Sequence, residues 1–100
     1  MRELRFKPQA RLDLLDIWHF IAQDSVSTAN RVGEEFDATL RDLTVMPGKG
    51  HRRADVKEAG FHFWNLYSYV IAYRYDDASV TIVRVIHGRR NFRKLFRKRS

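Results

Sequence analysis

Tyr69–Tyr75 reads YVIAYRY and Val80–Ile86 reads VTIVRVI, with Asp76, Asp77, Ala78 and Ser79 between them. Both runs are short and rich in aromatic and β-branched residues, the pattern of strands rather than helices. The polar connection has the chemistry of a tight turn, so the pair predicts an antiparallel hairpin. Phe61–Leu66 (FHFWNL) has the same character and predicts a third strand. Apolar residues occur on both faces of these strands. One face is expected to pack on helices, and the other to lie under further chain for part of its length. Arg74 and Arg84 interrupt the runs. An arginine pointing inward needs a carboxylate or carbonyl partner, whereas one pointing outward can reach another molecule.

Towards the N-terminus the period changes. Ala29, Val32, Phe36, Leu40 and Leu43 recur every three or four residues and predict an amphipathic helix that Pro47 ends. Gly33 costs about 1 kcal/mol relative to alanine in a helix interior, which close approach of a second helix would explain. That second helix is predicted from Pro8 to Asp24, with Ala10, Leu14, Ile17, Trp18 and Ile21 on one face. Asp13, Asp16, His19 and Gln23 lie away from the stripe, and Asp13 and Asp16 are expected to form a solvated face that complements the helix dipole. Leu12 and Phe20 also fall outside it and mark a second contact surface or a wider buried arc. The polar break Ser25–Thr28 supplies N-cap candidates and makes the pair an antiparallel helical hairpin. Met1–Lys7 alternates Leu4 and Phe6 with charges, the mark of a short edge strand. The predicted fold is therefore α+β. It comprises an N-terminal strand, a helical hairpin, a three-stranded antiparallel sheet and a short basic C-terminal helix.

That last element is read from Phe92, Leu95 and Phe96, spaced i, i+3 and i+4, whose apolar face is expected to dock on the sheet. The charge is concentrated there. Of 100 residues with a formal net charge of +7, the last twelve hold seven basic residues and no acid, so the rest of the chain is neutral. A basic end attracts DNA, RNA or an acidic protein, unless it serves only as a solvated tail. The basic loop Lys49, His51, Arg52 and Arg53 has the same two readings. The length predicts one domain over residues 1–100. Absence of cysteine removes disulfide scaffolds and thiolate chemistry. The four histidines lack metal-ligand spacing, and no phosphate-cradling glycine loop or nucleophile elbow occurs, so no metal and no cofactor is expected. No apolar run is long enough to span a bilayer and no signal peptide is evident, so a cytoplasmic location is expected.

The ordered set of motifs resembles the ParE/RelE superfamily of bacterial toxins. It comprises Asp13-Leu14…Ile17-Trp18…Ile21-Ala22, Pro47…Gly50…Arg52, Tyr69-Val70-Ile71-Ala72-Tyr73-Arg74, and Ile82-Val83-Arg84-Val85-Ile86-His87-Gly88-Arg89-Arg90. The ending is most similar to the ParE branch. The resemblance implies a toxin of a type II toxin–antitoxin system that is not an enzyme, inhibits DNA gyrase on its DNA, and is held inactive by a cognate antitoxin in a hetero-oligomer. Target contacts are assigned on charge and position to Arg84, His87, Arg89, Arg90, Arg93, Lys94 and Phe96. Antitoxin contacts are assigned to Trp18, Phe20, Phe36, Tyr73 and Arg74. His62 occupies a position often held by arginine in the family.

Two other readings stay open. One is a RelE-type, ribosome-dependent mRNA endonuclease. Such relatives carry an arginine after the first tyrosine of the third strand and a late tyrosine, where this chain has Val70 and Phe96. Neither residue neutralises a phosphate or moves a proton, which strand cleavage by a 2′-OH requires. The other is an inactive relative that only binds an antitoxin.

Overall fold

The computed structural model describes residues 1–53, 56 and 60–88. The chain runs β1 (Glu3–Phe6), α1 (Pro8–Ala22), α2 (Val26–Val45), a 3-10 turn (Pro47–Lys49), β2 (His62–Leu66), β3 (Tyr69–Tyr75) and β4 (Ser79–His87). Pro8 opens α1, where its missing N–H is no loss. The Ser25 hydroxyl caps α2 by accepting the Thr28 N–H at 3.1 Å. Asp76 shapes the β3–β4 turn, its Oδ1 accepting the N–H groups of Ala78 and Ser79 at 2.8 Å each. Those donors hold the Asp76 carboxyl below its ordinary range. Tyr67 takes a positive φ of 56° in the two-residue β2–β3 turn.

The strands form one four-stranded sheet in the order β1-β4-β3-β2. β2, β3 and β4 are antiparallel, as expected. β1 is more than a separate N-terminal strand: it pairs in parallel with β4, Leu4 opposite Val80 and Phe6 opposite Ile82. A parallel partner needs intervening chain to carry it back, and the helical hairpin provides part of that return. β4 carries a bulge, since Ala72 faces Arg84 while Tyr73 faces Ile82, leaving Val83 extra.

Both helices cover one face of the sheet. Val32, Phe36, Leu40 and Leu43 of α2 pack against Ile71, Tyr73, Val80, Ile82 and Val85, with Ala10 of α1 alongside. Full burial of each large side chain contributes roughly 1.5–3 kcal/mol, so this cluster dominates the stability of the fold. On the opposite face Phe61, Phe63, Val70, Ala72 and Ile86 form a second buried cluster with Val56 and Val83 packed against it. The expected C-terminal helix lies outside the described residues.

Two local expectations are corrected. Asp13 is not solvated: it is 8% exposed and faces β4. Gly33 is not demanded by close helix approach, because a Cβ built there has nothing within 4 Å. Gly33 instead lines a groove between the two helices.

Candidate interaction surface

The second half of α1 stands between two grooves. One, of about 400 Å³, runs between the helices and is walled by Leu14, Ile17 and Trp18 on α1 and by Ala29, Gly33 and Phe36 on α2. The Trp18 indole is pinned there, donating to Asn30 Oδ1 at 3.0 Å. The other, of about 460 Å³, lies between α1 and the end of the sheet. It is walled by Asp16, Ile17 and Phe20 of α1, Tyr69 of β3, and Val85 and His87 of β4. Tyr69 and His87 meet edge to face at 5.6 Å between ring centres. Ile17 belongs to both grooves, and Phe20 stands on the rim 68% exposed. Leu12 and Leu15, each 52% exposed, continue the apolar character along α1. Exposed apolar side chains beside two open grooves make this part of α1 the candidate interaction surface.

β4 meets α1 through an ion pair. Asp13 Oδ2 accepts the Arg84 Nε–H at 2.8 Å and the Val85 backbone N–H at 2.9 Å, while Oδ1 accepts a second Arg84 N–H at 3.2 Å. Arg84 thus has an intramolecular carboxylate, the partner that an inward-turned arginine requires.

At the far end of the same sheet face, His62 lies against the rings of Tyr75 and Tyr73, with centres 4.9 Å and 5.7 Å away. Its Nδ1 is buried without a hydrogen-bond partner. Burial, and secondarily the Arg52 guanidinium, lower its pKa below the ordinary histidine value. The phenol of Tyr73 donates to the Pro47 carbonyl at 2.5 Å.

The structure brings some of the assigned residues together and separates others. Trp18, Phe20 and Phe36 share the groove surface on α1 and α2, although Phe36 is only 3% exposed and forms part of the floor. Tyr73 is wholly buried, so the core takes a residue expected at the antitoxin surface. Arg74 points away from the helices and lies over the Phe61 ring at 4.3 Å, on the opposite face from Trp18 and Phe20. His87 reaches the second groove, whereas Arg84 is engaged by Asp13. Arg89, Arg90, Arg93, Lys94 and Phe96 lie outside the described residues. Ile17, Tyr69 and Val85 were not assigned from the sequence, because each reads as an ordinary core residue of its own element. Only the off-stripe position of Phe20 signalled the surface they line. Among the described residues no group of three acidic or histidine side chains converges to hold a metal. No helix among them is long and apolar enough to cross a membrane.

None of the curated proteins compared with the chain matches it. Among solved structures, the chain is similar to one described as the chromosomal ParDE TA system from P. aeruginosa. That match has a TM-score of 0.71 at 18% identity, over 87% of this chain and 96% of the other. At that identity the likeness shows the fold. The family model for the ParE toxin of type II toxin-antitoxin system, parDE, matches residues 4–92. With nearly the whole chain matched, from β1 through β4, this protein belongs to the ParE toxin family of type II toxin–antitoxin systems.

Proposed function

We propose that this chain poisons DNA gyrase on its DNA and is silenced by a cognate antitoxin docked along α1. The observation that carries the antitoxin half is the apolar surface around Phe20 and Ile17, with a groove on either side that the described chain leaves open. An antitoxin segment that folds on binding gains its apolar burial there. Trp18 and the Phe36 floor belong to that contact, as does Tyr69. The gyrase half rests on membership of the ParE family and on the placement of the net charge. The chain leaves β4 at His87 and Gly88 and enters a run of seven basic residues, from Arg89 to Arg99, without an acid. Such a run complements the DNA that gyrase holds or an acidic surface of the enzyme. His87, Arg89, Arg90, Arg93, Lys94 and Phe96 are the target-binding group in this reading, and the protein works in the cytoplasm, where gyrase does.

This action needs no catalytic residue of its own. The endonuclease reading draws no support from the sheet face opposite the helices. The position that nuclease-type relatives fill with arginine is Val70, which is 5% exposed and packed among Phe61, Phe63, Ala72 and Ile86.

The test is a supercoiled plasmid incubated with purified gyrase, ATP and the protein, with cleaved DNA trapped by detergent and protease. Gyrase-dependent linear plasmid is the expected product, and the cognate antitoxin added beforehand abolishes it. Folded protein that leaves supercoiling unchanged rules the gyrase action out. Transcript cutting in a translating extract would then support the endonuclease, and its absence the inactive antitoxin-binding relative.

A further inference from the structure

β1 accompanies β4 only as far as Ile82. The remaining stretch of β4, from Val83 to His87, has β3 on one side and no strand on the other among the described residues. This half-edge leads directly into Gly88 and the basic run. An edge strand left single on one side would fray and would offer its N–H and C=O groups to other chains.

Asp13 takes the place of the missing strand. Its carboxylate receives the Val85 N–H at 2.9 Å, two N–H groups of Arg84 at 2.8 Å and 3.2 Å, and the Gln9 side-chain amide at 3.1 Å. Gln9 is one turn before Asp13 and steadies it on α1. The pair is mostly buried, with side-chain exposures of 8% for Asp13 and 20% for Arg84. Stability is a weak reason for such a pair, because apolar residues of similar size often serve a core as well or better. Direction is a stronger one. An apolar pair offers no acceptor to the Val85 amide, and the carboxylate fixes both a backbone N–H and the neighbouring side chain at one point on α1.

We propose that Asp13 is a positioning residue that, with the Gly88 N–H donating to the Ser68 carbonyl at 2.7 Å, holds the end of β4 in the course from which the chain leaves the sheet, and that target action depends on this hold. Arg84 acts through Asp13 rather than by touching the target. The role rests on the reading of the basic end as the target-binding region.

The test uses the full chain as wild type, Asp13→Asn, Arg84→Gln and the double variant, at a temperature where circular dichroism shows all four folded. Amide hydrogen exchange is read at Val85, Ile86 and His87 against Leu40 and Ile71, and gyrase-dependent plasmid linearisation is read in parallel. Each single variant is expected to speed exchange at the end of β4 by about tenfold, the effect of losing one hydrogen bond, while the core amides hold. Poisoning falls by about the same factor. The double variant restores an uncharged hydrogen-bonded pair and recovers most of both. Unchanged exchange in Asp13→Asn, or altered exchange with full poisoning, overturns the role. Loss of poisoning in Arg84→Gln that the double variant does not recover overturns it too, by assigning Arg84 a direct contact. A wild-type protein inert on gyrase overturns the gyrase reading and this role with it, and the wild-type lane separates that outcome from a failed clamp. Should Asp13→Asn not fold, Gln9→Ala removes only the anchor and gives the same pattern at smaller amplitude.

Discussion

The phenol of Tyr73, wholly buried in the helix-covered face, donates to the carbonyl oxygen of Pro47 at 2.5 Å and ties β3 to the turn that ends α2. Tyr73→Phe keeps the ring and leaves that carbonyl without its donor, at an expected cost of about 1–3 kcal/mol in urea unfolding at pH 7. The same burial raises the Tyr73 pKa from 10.0 to about 12, with the Tyr75 hydroxyl a minor contributor and a Gly50 backbone hydrogen bond opposing. A folded-state pKa above the unfolded one means that this stability is complete below the unfolded value of 10.0 and is lost as pH rises through about 12. Wild type should therefore lose stability more steeply than Tyr73→Phe across that window, and equal slopes would contradict the assignment.

Two glycines are expected to respond in opposite ways to alanine. A Cβ at Gly50 would stand 2.8 Å from Tyr73 Cζ and closer still to its hydroxyl, in a buried ring that cannot swing away. Gly50→Ala should destabilise by roughly 1–3 kcal/mol, the usual range for overpacking. A Cβ at Gly33 meets nothing within 4 Å and gains helix propensity, so Gly33→Ala should stabilise by about 0.5–1 kcal/mol. Denaturant midpoints of the two variants settle both signs in one experiment.

These two positions also show what could be read without a structure. Gly33 was legible as a cost within α2, but its reason depended on how far apart the helices run. That distance is a tertiary property which periodicity does not encode. The strands, both helices and the β3–β4 turn were legible because each is set by local spacing and turn chemistry within a few residues. The parallel pairing of β1 with β4 was not, since it joins Leu4 to Val80 across the whole domain. The candidate surface was legible in part for the same reason. Phe20 stood off its helical stripe, whereas Tyr69 and Val85 reach the second groove only because the sheet order brings β3 and β4 beneath α1. Asp13 looked solvated by helix phase. Its partner Arg84, 71 residues away, reversed that.

His62 should titrate below the ordinary histidine value of 6.5, because burial and then the Arg52 guanidinium disfavour its charged form. With the folded pKa lowered, the neutral ring contributes stability that is present above 6.5 and is lost as pH falls through the folded value. Arg52→Ala removes the secondary cause and should raise the pKa, bringing it nearer to 6.5, as read from the imidazole C–H shift in an NMR titration. A pKa that does not move on this substitution would mean that burial alone sets the value.

Phe20 separates binding from folding more cleanly than any other residue of the grooves. Its ring is 68% exposed, so Phe20→Ala removes little burial from the folded chain and should change its unfolding free energy by less than about 0.5 kcal/mol. Ile17 is half-buried and packs against the core, and half-buried Trp18 is bonded to Asn30, so their loss would mix the two effects. If the antitoxin covers the rim between α1 and the end of β4, Phe20 becomes a buried aromatic anchor in the complex. Its truncation should then weaken the cognate antitoxin by about 2 kcal/mol or more, roughly thirtyfold, in a calorimetric titration. The variant should still poison gyrase, since the basic end is untouched, and should need more antitoxin to be silenced. Antitoxin affinity equal to wild type would move the contact off this rim and onto the groove beside Gly33.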